Sequence, residues 1–218
     1  MIVWYNIGDL REKILKCDNK ESESDIDSAR ATIAAAAKDS GVIVVGHSAG
    51  GWLGRAALGD GTDFAADVDI RAFVSLGAPH SPPPSGVPGV ADMTRGALTW
   101  TDAQLPGAFL SGSGIPYVTV ASDLIAGDAA AEKGSAGKGA YESYRMVCGR
   151  GDVAGDGVVP LQSAHLPGAT QITMQCYHSI RPPQVDDADV RAAWYGSNQQ
   201  IDAWLGPLLA ALQAPVSP

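Results

Sequence analysis

The chain has few cysteines: Cys17, Cys148 and Cys176 are three in 218 residues, too widely spaced to form a CxxC pair. That spacing argues against a disulfide framework and a thiolate metal site, and it fits a reducing, intracellular setting such as cytoplasm or plastid. No run of 18 apolar residues occurs, so no membrane span is expected, and the first five residues lack the basic flank and length of a signal peptide. Basic residues are scarce too: 15 Lys and Arg against 24 Asp and Glu leave a formal charge of −9. A surplus of that sign repels phosphate backbones and anionic membranes, so nucleic acid is not an expected partner. Charged residues make 18% of the chain against 45% hydrophobic, which excludes disorder throughout and predicts one soluble globular domain over residues 1–218.

What is present is an alternation of strand and helix patterns. Ile2 to Ile7 is an apolar, aromatic run of strand type, and the charged stretch from Asp9 to Asp27 reads as a connection. From Ser24 as N-cap, Ile26, Ala29, Ile33 and Ala37 recur at helical spacing until Ser40-Gly41, predicting a helix over 25–39. Gly41 to His47 is β-branched on both faces, as a strand buried between helix layers must be, and an apolar helix starts at Trp52. Further strands are expected at Arg71–Leu76, Tyr117–Ala121 and Gln171–Cys176, which together predict an α/β fold, a mostly parallel sheet with helices on both faces. Ile201, Trp204, Leu205, Leu208, Leu209 and Leu212 lay an apolar stripe along a terminal helix. Two long Gly/Pro-rich segments, His80–Pro116 and Ile125–Gly157, read as lids, binding loops or insertions. Gly134 to Gly139 (GSAGKG) raises nucleotide binding as an alternative, but it lacks the phosphate-loop spacing and a preceding strand, so a flexible loop is expected there.

Chemistry concentrates at Gly46-His47-Ser48-Ala49-Gly50, a G-x-S-x-G pattern lying between a buried strand and a helix. Such a turn strains the central serine into positive φ and projects its hydroxyl above the sheet edge, while its neighbours two positions away must be small. Ala49, at the helix start, offers its free N–H to a developing oxyanion. A serine hydroxyl needs a base and an orienting carboxylate, in chain order Ser, Asp, His. Asp156, in the turn Gly155–Pro160, and His178, beyond the last strand, fit that order at the carboxyl edge of the sheet. Asp152 and Asp123 are rival acids. His80 is the rival base and a candidate pocket residue near the rim, His47 is expected to point away from the serine, and His165 reads as structural or exposed.

At these residues the chain resembles the α/β-hydrolase superfamily, and more closely its lipase-like and esterase-like members of plants and algae. The likeness runs through most of residues 41–209 in GHSAGGWLGRAAL (Gly46–Leu58), VSLGAPHSPPP (Val74–Pro84), MTRGALTW (Met93–Trp100), LPGAF (Leu105–Phe109) and YVTVAS (Tyr117–Ser122), and then in GDGVVPLQSAHLPGA (Gly155–Ala169), YHS (Tyr177–Ser179) and WYGS (Trp194–Ser197). The resemblance implies an acyl-ester hydrolase with Ser48, Asp156 and His178 as nucleophile, acid and base, a small-molecule ester or lipid substrate, and neither metal nor organic cofactor. It also implies a cap over residues 82–116, with Val87, Leu98, Trp100, Leu105, Phe109 and Leu110 lining an acyl pocket; plain packing beneath a long loop is the alternative. Only one strand and one helix are expected before Val42, where that superfamily has more, so an N-terminally incomplete fold is expected. The strand normally beside the serine's own, and the oxyanion loop after it, would then be missing. A hydrolase-like scaffold that binds acyl ligands or a protein partner without turnover is the alternative function.

Overall fold

The computed structural model describes residues 2–5, 19–37, 41–59, 64–179 and 193–213. In chain order these form β1 (Ile2–Tyr5), α1 (Asn19–Ala37), β2 (Val42–His47), α2 (Ala49–Gly59), the short α3 (Phe64–Asp67), β3 (Ile70–Leu76) and α4 (Ala97–Gln104). A 3₁₀ turn (Phe109–Ser113) leads to β4 (Tyr117–Ser122), β5 (Ile125–Ala126), α5 (Ala136–Cys148), β6 (Ala154–Gly155), α6 (Leu161–Ala164), β7 (Thr170–Met174) and α7 (Asn198–Gln213). Five strands make one parallel sheet in the order β1-β2-β3-β4-β7, and β5 and β6 form a separate antiparallel pair. The fold is therefore α/β with a parallel main sheet.

Strand pleating sorts the core into two faces. Val42, Val44, Phe73 and Tyr117 point to one side, where Ala29 and Ile33 of α1, Ala57 and Leu58 of α2, and Leu110 of the 3₁₀ turn cover them. Val45, Ala72, Val74, Leu76, Val118 and Val120 point to the other, against Trp204 and Leu208 of α7. The sheet order is monotonic, and right-handed crossovers between strands added in one direction all land on one face. The second face is left to the helix after the last strand. Of the expected α7 stripe, Leu209 is 45% exposed; at 100° per residue it sits about 80° around the helix from Ile201, at the margin of the apolar arc.

β1 is hydrogen-bonded directly to β2, from Ile2 opposite Ile43 to Tyr5 opposite Gly46, so no strand lies between them, and the segment that follows β1 falls outside the described residues. Two other expectations are corrected. First, α1 begins at Asn19, inside the stretch read as a connection; Lys20, Glu21 and Glu23 are good helix formers, and acidic residues near a helix start favour it without any apolar pattern. Finally, Ser135 in the GSAGKG stretch caps α5 by accepting a hydrogen bond from the Lys138 N–H at 3.3 Å, so the glycines after it are helical rather than loop. Cys17, Ile7, and the 38–39 end of the predicted first helix lie outside the described residues.

Candidate active site

β2 runs straight into the turn at Ser48, which takes φ 54°, one of two non-glycine residues with positive φ among those described. Such a conformation costs on the order of 1–3 kcal/mol and persists only where the surroundings over-determine it. Here the Ser48 N–H donates to the Leu76 carbonyl at 3.0 Å, and the Ser48 carbonyl accepts from the Gly51 N–H at 3.0 Å. A Cβ on Gly46 would lie 2.4 Å from the Gly50 carbonyl oxygen, so α2 can fold back on β2 this tightly only because position 46 is bare. Ser48 stands half-buried at the sheet edge, and Ala49 opens α2, where first-turn N–H groups have no partner inside the helix.

Asp156 follows β6 in a tight turn and is 2% exposed. Its Oδ1 accepts from the backbone N–H groups of Val158 at 2.9 Å and Val159 at 2.7 Å. Its Oδ2 accepts from His178 Nδ1 at 2.8 Å and from the Tyr195 hydroxyl at 3.0 Å. The His178 N–H closes the pair by donating to the Asp156 carbonyl at 3.0 Å. Burial by itself pushes the carboxyl up, but the facing His178 charge, its hydrogen bond and the two amides outweigh that and hold Asp156 below the usual carboxylate range. With Nδ1–H committed to the acid, His178 keeps its Nε2 lone pair for a proton.

His178 sits against the elbow. His47, the residue before Ser48, donates from Nε2 to the His178 carbonyl at 2.8 Å, and the two rings lie 4.7 Å apart. Burial first, and then the His178 charge, lower the His47 pKa to about 4, so it is a neutral donor under ordinary conditions. The fold therefore prefers neutral His47, while the unfolded chain binds its proton near pH 6.5. Stability is full above pH 6.5 and falls as pH drops towards 4, by on the order of 3 kcal/mol for a shift of this size. Thermal melts from pH 7.5 to 4.5 should show this slope, shallower in His47→Gln; a flat wild-type curve would contradict it.

The other residues singled out from sequence lie elsewhere. His80 is fully buried, hydrogen-bonded through Nε2 to Ser75 Oγ at 2.8 Å. The Arg55 guanidinium donates to its Nδ1 at 3.4 Å and to its carbonyl at 3.2 Å. Burial and that charge hold His80 well below its ordinary pKa, so it is engaged beneath the rim and exposes no surface to a ligand. Leu105 is buried, gives its carbonyl to Arg55, and packs with Phe109 over Gly59 at the far end of α2, away from Ser48. Phe109 also meets the Tyr117 ring at 6.3 Å. These two sit in the core because the chain after α4 returns to the opening edge of β4. Trp100 is 40% exposed on α4. Nearer the serine end of α2, Leu98 from the 82–116 segment packs on Trp52 and Leu53, in a cluster with Ala49 and Ala97 at its edge.

Of the rival acids, Asp152 is exposed and paired with Arg150, and Asp123 accepts from the Gln175 side chain. His165 bridges Thr119 and Thr173. Two contributors were given no role from the sequence, although WYGS and GHSAGGWLGRAAL contain them: Tyr195 on the carboxylate, and Arg55, whose buried guanidinium ties the 82–116 segment to α2 through Leu105 and, at 3.9 Å, Asp102. Their partners are 39 and 50 positions away, and no local pattern announces contacts at such distances. Among the described residues no cluster of three or more His, Cys, Asp or Glu side chains is placed to hold a metal, and no helix is long and apolar enough to cross a membrane.

No family model and no curated protein matches the chain. Among solved structures it is similar to the mature Bacillus licheniformis lipase BlEst2, at 18% identity and TM-score 0.48 over 72% of this chain and 67% of that one. It is also similar to EstE1, a thermophilic and thermostable carboxylesterase cloned from a metagenomic library, at 13% identity and TM-score 0.36 over 87% of this chain and 64% of that one. The chain thus spans about two thirds of each neighbour's length, and those neighbours are a lipase and a carboxylesterase.

Proposed function

We propose that the chain is a serine-dependent acyl-ester hydrolase of lipase or esterase type. The observation that carries this reading is the strained Ser48 at φ 54°, one residue from a histidine that packs on His178, which is itself hydrogen-bonded to a buried carboxylate. In the proposed reaction Ser48 Oγ attacks the ester carbonyl as His178 Nε2 takes its proton, and the Ala49 N–H receives part of the oxyanion charge. Collapse expels the alcohol, protonated by His178, and leaves an acyl group on Ser48. A water then gives its proton to His178 and attacks the acyl carbon, and collapse releases the acid as His178 returns that proton to Ser48 Oγ. Asp156 holds the imidazole with its proton on Nδ1 throughout. We further propose that the 82–116 segment caps the site, anchored to α2 by Leu98, which is buried against Trp52 and Leu53.

The test is covalent. A fluorophosphonate probe should label the folded chain at one mole per mole, on Ser48, with labelling lost in Ser48→Ala. A second reading, a scaffold that binds acyl ligands or a protein partner without turnover, is favoured by one observation: Ser48 Oγ makes no hydrogen bond to His178 among the described residues. Catalytic hydrogen bonds are often long before substrate arrives and tighten in the Michaelis complex. Folded wild-type protein that takes up no probe would overturn the hydrolase reading.

A further inference from the structure

The WYGS stretch at Trp194–Ser197 plays no part in the steps above, yet it converges on the acid–base pair. The chain re-enters beside the segment that carries His178: Tyr177 N–H donates to the Ala193 carbonyl at 2.7 Å, and Tyr177 and Trp194 form a parallel bridge. The Trp194 ring meets His47 edge-on at 5.9 Å. Tyr195 is fully buried, its carbonyl pinned by the Trp204 indole N–H at 3.0 Å, and its hydroxyl donates to Asp156 Oδ2. Room for this comes from Gly77, at φ 51°, where a Cβ would lie 2.6 Å from Asp156 Oδ2 and 2.7 Å from the Tyr195 ring.

We propose that Tyr195 is a positioning residue for the acid–base pair: by donating to the same carboxylate oxygen that receives the His178 ring, it fixes the orientation of Asp156 and moderates its pull on the imidazolium. A carboxylate has about four lone-pair sites. Val158 and Val159 occupy two on Oδ1, and His178 and Tyr195 the two on Oδ2. The first two are rigid turn amides that hold one end of the group. Tyr195 is what keeps the other end from swinging about that anchor, and its hydrogen bond draws negative charge from the oxygen facing the imidazole. The groups around the pair keep one protonation state near neutral pH. Burial and the Asp156 charge raise the Tyr195 phenol well above its ordinary range, and burial also raises the nearby Tyr144 phenol. Burial and Asp156 push the Cys176 thiol up to about 12, and His47 stays neutral. Tyr195 therefore remains a donor wherever the pair titrates.

This proposal rests on the hydrolase reading, and its test separates the two. In Tyr195→Phe, which keeps the ring, the unshared carboxylate favours the imidazolium more strongly. The acid limb of the kcat/KM profile should move to higher pH, and kcat should fall about 10-fold, the scale of a hydrogen bond to a charged group, with KM within about two-fold. Placing 3-fluorotyrosine at position 195 strengthens the donor and should move the limb the other way, which decides the matter if Tyr195→Phe does not fold. An unmoved limb with unchanged kcat, or a shift of the same sign in both proteins, would overturn the proposal. The low-field proton resonance of the His178–Asp156 hydrogen bond is read without substrate. If the wild type hydrolyses no ester but that resonance shifts in Tyr195→Phe, the hydrolase reading fails and the brace stands; a resonance identical in both proteins removes the brace whatever the activity.

Discussion

Asp156→Asn is expected to lower kcat on a soluble p-nitrophenyl ester about 10⁴-fold with KM nearly unchanged, the scale of the same exchange in a serine protease triad. The geometry dictates the sense of the loss. The amide oxygen of Asn takes the place of Oδ1, where the Val158 and Val159 amides require an acceptor. The NH₂ group then stands where Oδ2 faces His178 and Tyr195. An N–H cannot accept from Nδ1–H, so the imidazole moves its proton to Nε2 and presents a donor to Ser48 where the reaction needs an acceptor. The Tyr195 hydroxyl can turn and accept from the amide, so the variant keeps its buried groups satisfied and should fold. Steady-state kinetics beside a thermal melt check both halves. A loss under ten-fold in a folded variant would mean that this carboxylate does not set the tautomer.

Gly46→Val is expected to cost about 4 kcal/mol, the upper end of over-packing, and to lower Tm by about 8–16 °C for a chain of this size. A strand interior would ordinarily welcome valine over glycine. Here the added Cβ meets backbone: the Gly50 carbonyl oxygen at 2.4 Å, its carbon at 2.6 Å and Gly51 Cα at 2.7 Å. No rotamer relieves such contacts, so α2 must swing off β2, carrying Ser48 and the Ala49 N–H with it. Fluorophosphonate labelling should therefore slow well below the melting transition. A melt within 2 °C of wild type, a cost under about 1 kcal/mol for this chain length, would show that the elbow has slack that the contacts deny.

How much of this was legible in the sequence depends on the range of each interaction. β2 and the elbow could be read because strand pattern, small residues and helix start are all local, and Ser48 has its positive φ where the pentapeptide puts it. Asp156 and His178 were picked out by chain order, and they lie 2.8 Å apart. His80, Leu105 and Phe109 were assigned to the pocket by closeness in sequence to a rim segment. Their side chains are instead held by the Ser75 hydroxyl, the Arg55 guanidinium and the far end of α2, neighbours supplied by the tertiary fold. That β1 pairs directly with β2 could not be read by counting elements before Val42, because tertiary contacts decide which edge the first strand joins. The starts of α1 and α5 were missed for a different reason: charge and glycine masked helices whose signals are a favourable first turn and the Ser135 cap.

The one-sided crossovers have a consequence for synthesis. As strands are added in order, none of the described helices between them covers the face bearing Val45, Val74 and Val118; among the described residues its cover is Tyr195 and α7. The five described strands are therefore complete before α7 is made, and that face waits for the helix to dock. Cover for that face and the finished carboxylate shell arrive together, in one late docking event.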